Sequence, residues 1–195
     1  MTTALACGSR ALTLIDVLER SNHVTLYGAA DQRLVGHVVS IYFAATGRRV
    51  AHAVVRPDGT FRTTAPLPPA TIRRTNSARY QAWAGREHSL DLKLERRLIV
   101  DSMRWRGGRV VIRGRVKLPL AIPVAPIYIQ RRVSCSREVT AQRVFPRADG
   151  SWQAVVTAPP HAQVAVYRAT TEVRNNLLSR MPFETFTLPR EVSLG

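Results

Sequence analysis

The residues best placed to do chemistry in this 195-residue chain are arginines. Arg104, Arg106, Arg109, Arg113, Arg115 and Lys117 follow one another with no acidic residue between them. Under strand alternation Arg109, Arg113, Arg115 and Lys117 share one face, while Val110, Ile112 and Val116 take the other. A hairpin turned at Gly107-Gly108 sets Arg106 beside Arg109 and draws out a cationic strip about 20 Å long at ~3.3 Å per residue. Such a strip attracts polyanions: cell-wall teichoic acid, acidic polysaccharide, lipid headgroups or nucleic acid. The plainer reading is a solvated outer sheet face whose charges discourage edge-to-edge pairing. Nucleic acid is the less favoured partner, because single-strand readers need stacking aromatics and alternation turns Trp105 toward the core. A second basic run, Arg131, Arg132 and Arg137, surrounds Cys135, and guanidinium neighbours lower a thiol pKa. A disulfide to Cys7, or simple burial, is preferred over a redox role for Cys135.

Other chemistries find little support. The chain has no G-x-S-x-G elbow, no H-E-x-x-H, no glycine-rich phosphate loop and no C-x-x-C pair. Its five histidines, His23, His37, His52, His88 and His161, are scattered. His37 and His52 fall on neighbouring predicted strands, but a metal site needs a third ligand and none is in view. Asp58 and Asp149 are better turn formers than calcium ligands, since a hard cation wants several oxygens and the 13 acids are thinly spread. Glu87-His88 and the acids between Asp16 and Glu19 make an acid/base pair only if the fold joins them. The expectation is a non-enzyme with no catalytic residue, no metal and no cofactor.

Composition sets the frame for those side chains. With 29 Lys plus Arg against 13 Asp plus Glu the net charge is +16, yet 45% of residues are hydrophobic, which excludes a disordered polycation. Only Lys93 and Lys117 are lysines among the 29 cations, so the surplus is almost all Arg. No run approaches the roughly 20 apolar residues of a spanning helix, and none near Met1–Arg10 looks like a leader.

The elements that position these residues come from an internal repeat. Val24 to Gly28 lines up with Val110 to Gly114, 86 residues on, and the same offset carries Ile41-Tyr42-Phe43 onto Ile127-Tyr128-Ile129. Asp58-Gly59-Thr60-Phe61 matches Asp149-Gly150-Ser151-Trp152, Tyr80 matches Tyr167, and Leu92 to Leu94 is set against Phe186 to Leu188. Within each copy hydrophobic residues alternate at period two, which predicts strands over 12–18, 23–27, 37–44, 50–55, 60–64, 78–84 and 89–94. Asp-Gly pairs predict tight hairpin turns, and Pro66 to Pro69 and Pro159-Pro160 stop strands.

Gly28, Asp58 to Phe61 and Tyr80, with Gly114, Asp149 to Trp152 and Tyr167, make each copy resemble the bacterial immunoglobulin-like and fibronectin type III-like modules of large secreted and surface proteins. That resemblance implies an all-β chain of two tandem seven-stranded immunoglobulin-like β-sandwiches, residues 1–97 and 98–195. Tyr80 and Tyr167 are then candidates for a tyrosine corner, equally open to being ordinary strand aromatics. The implied function is a non-catalytic structural or adhesion module of an extracellular or cell-envelope protein, with neighbouring domains as partners. The alternative is a polyanion-binding module working through Arg104 to Lys117. The strip belongs to the second copy, which carries 15 basic and 5 acidic residues over 98–190 against 13 and 7 over 12–97.

Overall fold

The computed structural model describes residues 10–73, 75–94, 96–174 and 176–195. The chain divides into two compact units, Met1–Glu95 and Arg96–Gly195, each built almost wholly of strands.

In the first unit β1 (Leu12–Arg20), β2 (His23–Ala30) and β5 (Thr60–Pro66) form one antiparallel sheet in the order β1-β2-β5. The facing sheet runs β4 (Arg48–Val54), β3 (Val38–Phe43), β6 (Arg79–Ala84), then two short pieces, β7 (Glu87–His88) and β8 (Leu92–Lys93), both paired with β6. Counting those pieces as one interrupted strand gives seven strands, three facing four. The fourth strand pairs with the third, not with the fifth as in the antibody constant-type order, so the arrangement is fibronectin type III-like. The second unit repeats it: β13 (Ser151–Thr157), β10 (Arg109–Val116) and β9 (Leu98–Arg106) oppose β12 (Arg137–Val144), β11 (Ile127–Ser134) and β14 (Val164–Arg174), with β15 (Pro182–Phe186) and β16 (Arg190–Ser193) sharing β14.

Alternation places the cores. Leu14, Leu26, Val39, Ile41, Phe61 and Tyr80 are buried in the first unit, and Val110, Ile112, Ile127, Ile129, Trp152 and Tyr167 in the second. The interrupted last strand has one cause in both units. Ser89 Oγ accepts the Ala82 N–H and Thr187 Oγ1 accepts the Ala169 N–H, each at 2.9 Å, so a hydroxyl takes a ladder position and the chain breaks pairing there.

The ladders also correct three readings of the sequence. Ile41 pairs with Ala82 and Ile129 with Ala169, so Ile41 is equivalent to Ile129, and the Ile41-Tyr42-Phe43 match to residues 127–129 is two residues out of register. Leu92 pairs with Tyr80 and Arg190 with Tyr167, which moves the last match by four residues. Both slips are even, and a period-two pattern is unchanged by an even slip. The Asp-Gly turns, third, do not close hairpins: β4 and β5, like β12 and β13, lie in different sheets. Their local chemistry is as expected, with Gly59 and Gly150 at φ 74 and 81 and the Asp58 and Asp149 carboxylates accepting N–H bonds from Thr60 and Ser151 at 2.9 Å.

One contact ties the repeat's landmarks together. Gly28 stands opposite Phe61 and Gly114 opposite Trp152. A Cβ added to Gly28 would penetrate the Phe61 ring and the Thr13 carbonyl, and one on Gly114 the Trp152 ring and the Ile99 carbonyl. The aromatic after each Asp-Gly turn therefore packs directly against a strand glycine. Gly28→Ala and Gly114→Ala should each destabilise their own unit by about 3 kcal/mol, because rigid backbone on one side and a packed ring on the other leave the methyl nowhere to go. Thermal unfolding checks this; a midpoint lowered by less than ~5 °C would show that the ring can shift aside.

Candidate functional site

The strip predicted from Arg104 to Lys117 forms on the outer face of the β13-β10-β9 sheet. Gly107 and Gly108 turn the β9-β10 hairpin with φ 51 and 79, the two positive values a two-residue loop of this type demands. Arg106 pairs with Arg109, Arg104 with Val111, and Arg113 with Ser102 and Gln153. Since directly opposed residues share a face, Arg104, Arg106, Arg109, Arg113 and Arg115 all point away from the core. Arg104, Arg106, Arg109 and Arg113 are exposed, whereas Arg115 is half-buried.

Partners divide the strip. Arg115 Nη1 lies 3.6 Å from Asp101 Oδ1, brought across by the irregular register between Arg113 and Gly114. Arg113 Nε donates to Gln153 Oε1 at 2.8 Å, which fixes its guanidinium against the sheet. Arg104, Arg106 and Arg109 make no ion pair among the described residues. Lys117, beyond the strand end, donates its backbone N–H to the Arg97 carbonyl. Trp105, expected to face the core, is 40% exposed. It stands opposite Val110 on the inner side, but at the open end of the hairpin, where little of the core remains to cover it.

The other candidates stay apart. His37 sits before β3 with its carbonyl bound to the Val55 N–H, while His52 pairs with Ser40, so the two histidines do not converge. Glu87 is held by Arg33 at 2.6 Å and Glu19 by Arg73 at 3.4 Å, each acid committed to a different arginine. No group of three His, Cys, Asp or Glu able to hold a metal occurs among the described residues. Cys135 is exposed in the β11-β12 turn, which corrects the burial reading. Cys7 lies outside the described residues.

Sequence reasoning missed a second outer feature, the four-stranded face of each unit. A row His52, Ser40, Trp83, His88 crosses the first unit's sheet, and Arg143, Tyr128, Thr170, Phe186 crosses the second at the equivalent positions. Trp83 stacks on His88 at 4.8 Å between centroids and donates its indole N–H to Gln81, while Arg143 lies over Phe145 and Arg96 over Phe186. Only strand pairing, which one chain's spacing does not reveal, assembles these rows.

No protein-family model and no curated protein matches the chain. Among solved structures it is similar to the BSP domain of a biofilm-associated protein (TM-score 0.40, 12% identity, covering 94% of this chain and 29% of that one). It is also similar to a tetra-tandem repeat in the extending region of a large adhesion protein (TM-score 0.32, 16% identity, 95% and 49%). A third is the chicken interferon gamma receptor alpha chain (TM-score 0.34, 11% identity, 94% and 97%). The chain thus spans less than a third of the first structure and about half of the second.

Two buried phenols complete the site chemistry. Burial pushes the Tyr80 hydroxyl up to about 12; Arg73 opposes this and Glu19 adds to it. Burial likewise raises Tyr167, against the pull of Arg131. Among the described residues the buried Tyr167 hydroxyl has no hydrogen-bond partner, so it does not make the tyrosine-corner bond. Tyr167→Phe should therefore stabilise the second unit by about 1 kcal/mol in chemical denaturation, whereas a corner bond would make the same change destabilising. Because the folded Tyr80 pKa exceeds its unfolded value, its contribution is full below pH 10 and is lost as pH rises toward 12. Unfolding midpoints measured across that window should fall less steeply in Tyr80→Phe than in the parent chain.

Proposed function

We propose that the chain is a non-catalytic, load-bearing tandem module of a larger secreted or cell-envelope protein. The observation that carries this reading is the repetition, inside both units, of the same bonds at equivalent positions. Ala30 and Val116 donate to the Gly59 and Gly150 carbonyls, Arg56 and Arg147 to the Thr60 and Ser151 carbonyls, and the Ser89 and Thr187 hydroxyls interrupt the same strand. A spacer needs what has been duplicated here, a closed sandwich held by the same turn and strand bonds, and places no demand on a cleft. Neighbouring domains of the same long chain are the partners that this role requires.

A bridge between Cys7 and Cys135 belongs to the same proposal, since such bonds persist in oxidising compartments and an exposed turn is open to one. The untreated protein should then show no titratable thiol, and two after reduction; free thiols in protein prepared under air would remove this support for an extracellular setting.

Stretching single molecules by their ends in reductant tests the mechanical role. Two force peaks are expected, each releasing about 30 nm at ~3.6 Å per residue. Smooth extension without peaks would end the load-bearing reading.

A further inference from the structure

We propose that the outer face of the β13-β10-β9 sheet is a binding surface for an acidic polysaccharide. Both units build this sheet on one backbone, with hairpins in the same register around the same glycine-aromatic contact. In the first unit the positions of Arg109, Val111 and Arg113 are held by His23, Thr25 and Tyr27, and those of Arg104 and Ser102 by Leu18 and Asp16. Of the equivalents to the five strip arginines, Leu18, Arg20, His23, Tyr27 and Ala29, only Arg20 is an arginine. The ladder therefore forms without the arginines, and folding does not require Arg104, Arg109 or Arg113 where they stand.

Their placement fits a linear anion. Arg106 and Arg109 lie side by side at the hairpin end, Arg104 follows one row down, and Arg113 comes after it, its guanidinium oriented by Gln153. From Arg109 to Arg113 the open charges cover about 13 Å at ~3.3 Å per residue, the reach of two or three sugar units, too long for a single small anion to use. A guanidinium presents a planar fork to carboxylate or sulfate oxygens and binds them in pairs, which lysine cannot do. Asp101 closes the far end by engaging Arg115. Beside the arginines the face shows Val111, Val155, Thr157, Ser102 and Gln153, with no aromatic ring for a base to stack on. That separates a polysaccharide, whose charge rides on the chain itself, from a single-stranded nucleic acid.

Retention by any anionic resin would follow from the net charge of +16 alone, so the test holds charge constant. One full-length variant carries Arg104→Gln, Arg106→Gln, Arg109→Gln and Arg113→Gln. A control loses the same charge at exposed arginines elsewhere, through Arg48→Gln, Arg49→Gln, Arg56→Gln and Arg180→Gln. Binding to polygalacturonate and to heparin oligosaccharides is measured by calorimetry from low to physiological salt, beside duplex DNA and phosphatidylserine vesicles. The face variant should bind one or both polysaccharides at least tenfold more weakly than the parent, with a flatter salt dependence, and the control less than twofold. Equal losses in both variants, or no polysaccharide binding by the parent, would overturn the proposal. Tighter binding of DNA or vesicles through the same arginines would overturn it in favour of that partner. Should the fourfold variant fail to fold, Arg109→His with Arg113→Tyr decides, since those residue types already occupy this backbone in the first unit; it should weaken binding at least threefold. The surface is independent of the load-bearing role, because force peaks and polysaccharide affinity can each be lost without the other.

Discussion

Each half of this molecule depends on an aromatic ring lying on a glycine. Phe61 over Gly28 and Trp152 over Gly114 join the fifth strand to the second at the centre of the three-stranded sheet. The contact explains why three separate landmarks recur together. The Asp-Gly turn delivers the chain from one sheet to the other, the residue two places after its glycine enters the core as a ring, and the facing strand must lack a side chain to receive it. The Ala30 and Val116 N–H groups, bonded to the Gly59 and Gly150 carbonyls, lock the turn to the end of that same facing strand. The second copy fills its site with an indole whose N–H finds no partner among the described residues, where the first has the unencumbered phenyl ring. Close packing of the larger ring offsets an orphan donor, a cost of about 1–3 kcal/mol on ordinary reckoning.

The arginine excess divides into two populations with different physics. Arg73, Arg97, Arg174 and Arg190 spend their guanidinium donors on the carbonyls of Pro68, Leu118, Arg174, Leu120 and Val100, backbone acceptors at strand ends and in proline-bearing loops. Several donors on one rigid plane satisfy two carbonyls from one side chain, as Arg97 does at 2.9 and 2.6 Å. Burial lowers the Arg97 pKa, the expected cost of drawing a cation in among those acceptors. The exposed arginines of the β9-β10 hairpin do nothing of this kind. Net charge alone therefore overstates what is free to meet a partner, and within the strip Arg104, Arg106 and Arg109 make no ion pair among the described residues, while Arg113 and Arg115 are held by Gln153 and Asp101.

Much of the architecture was legible in the sequence because it is written in period two and in glycine. The observed strands begin and end close to the predicted ones, and Gly107-Gly108 announces its hairpin through a backbone that few other residues adopt. What stayed hidden is what alternation cannot encode. An even slip leaves every residue on its own face, so the offset between Ile41 and Ile129 could not be told from the offset to Ile127. A change of sheet looks like a hairpin when only the turn is visible, which is how Asp58-Gly59 misled. Trp105 had the right face and the wrong depth, since depth depends on where the opposing sheet ends.

The same limit governs function. Inside, the two copies keep equivalent residues because one packing problem has one narrow set of solutions. Outside, equivalent positions diverge: His52, Ser40 and His88 become Arg143, Tyr128 and Phe186, and His23 and Tyr27 become Arg109 and Arg113. Surface substitutions of this kind change stability by only a few tenths of a kcal/mol, so folding neither requires nor forbids them. A duplicated sandwich is in this sense an internal control, in which each copy shows what the backbone tolerates at the other's surface. Residues that differ where the backbone is indifferent are the ones whose chemistry has to be explained by something outside the fold.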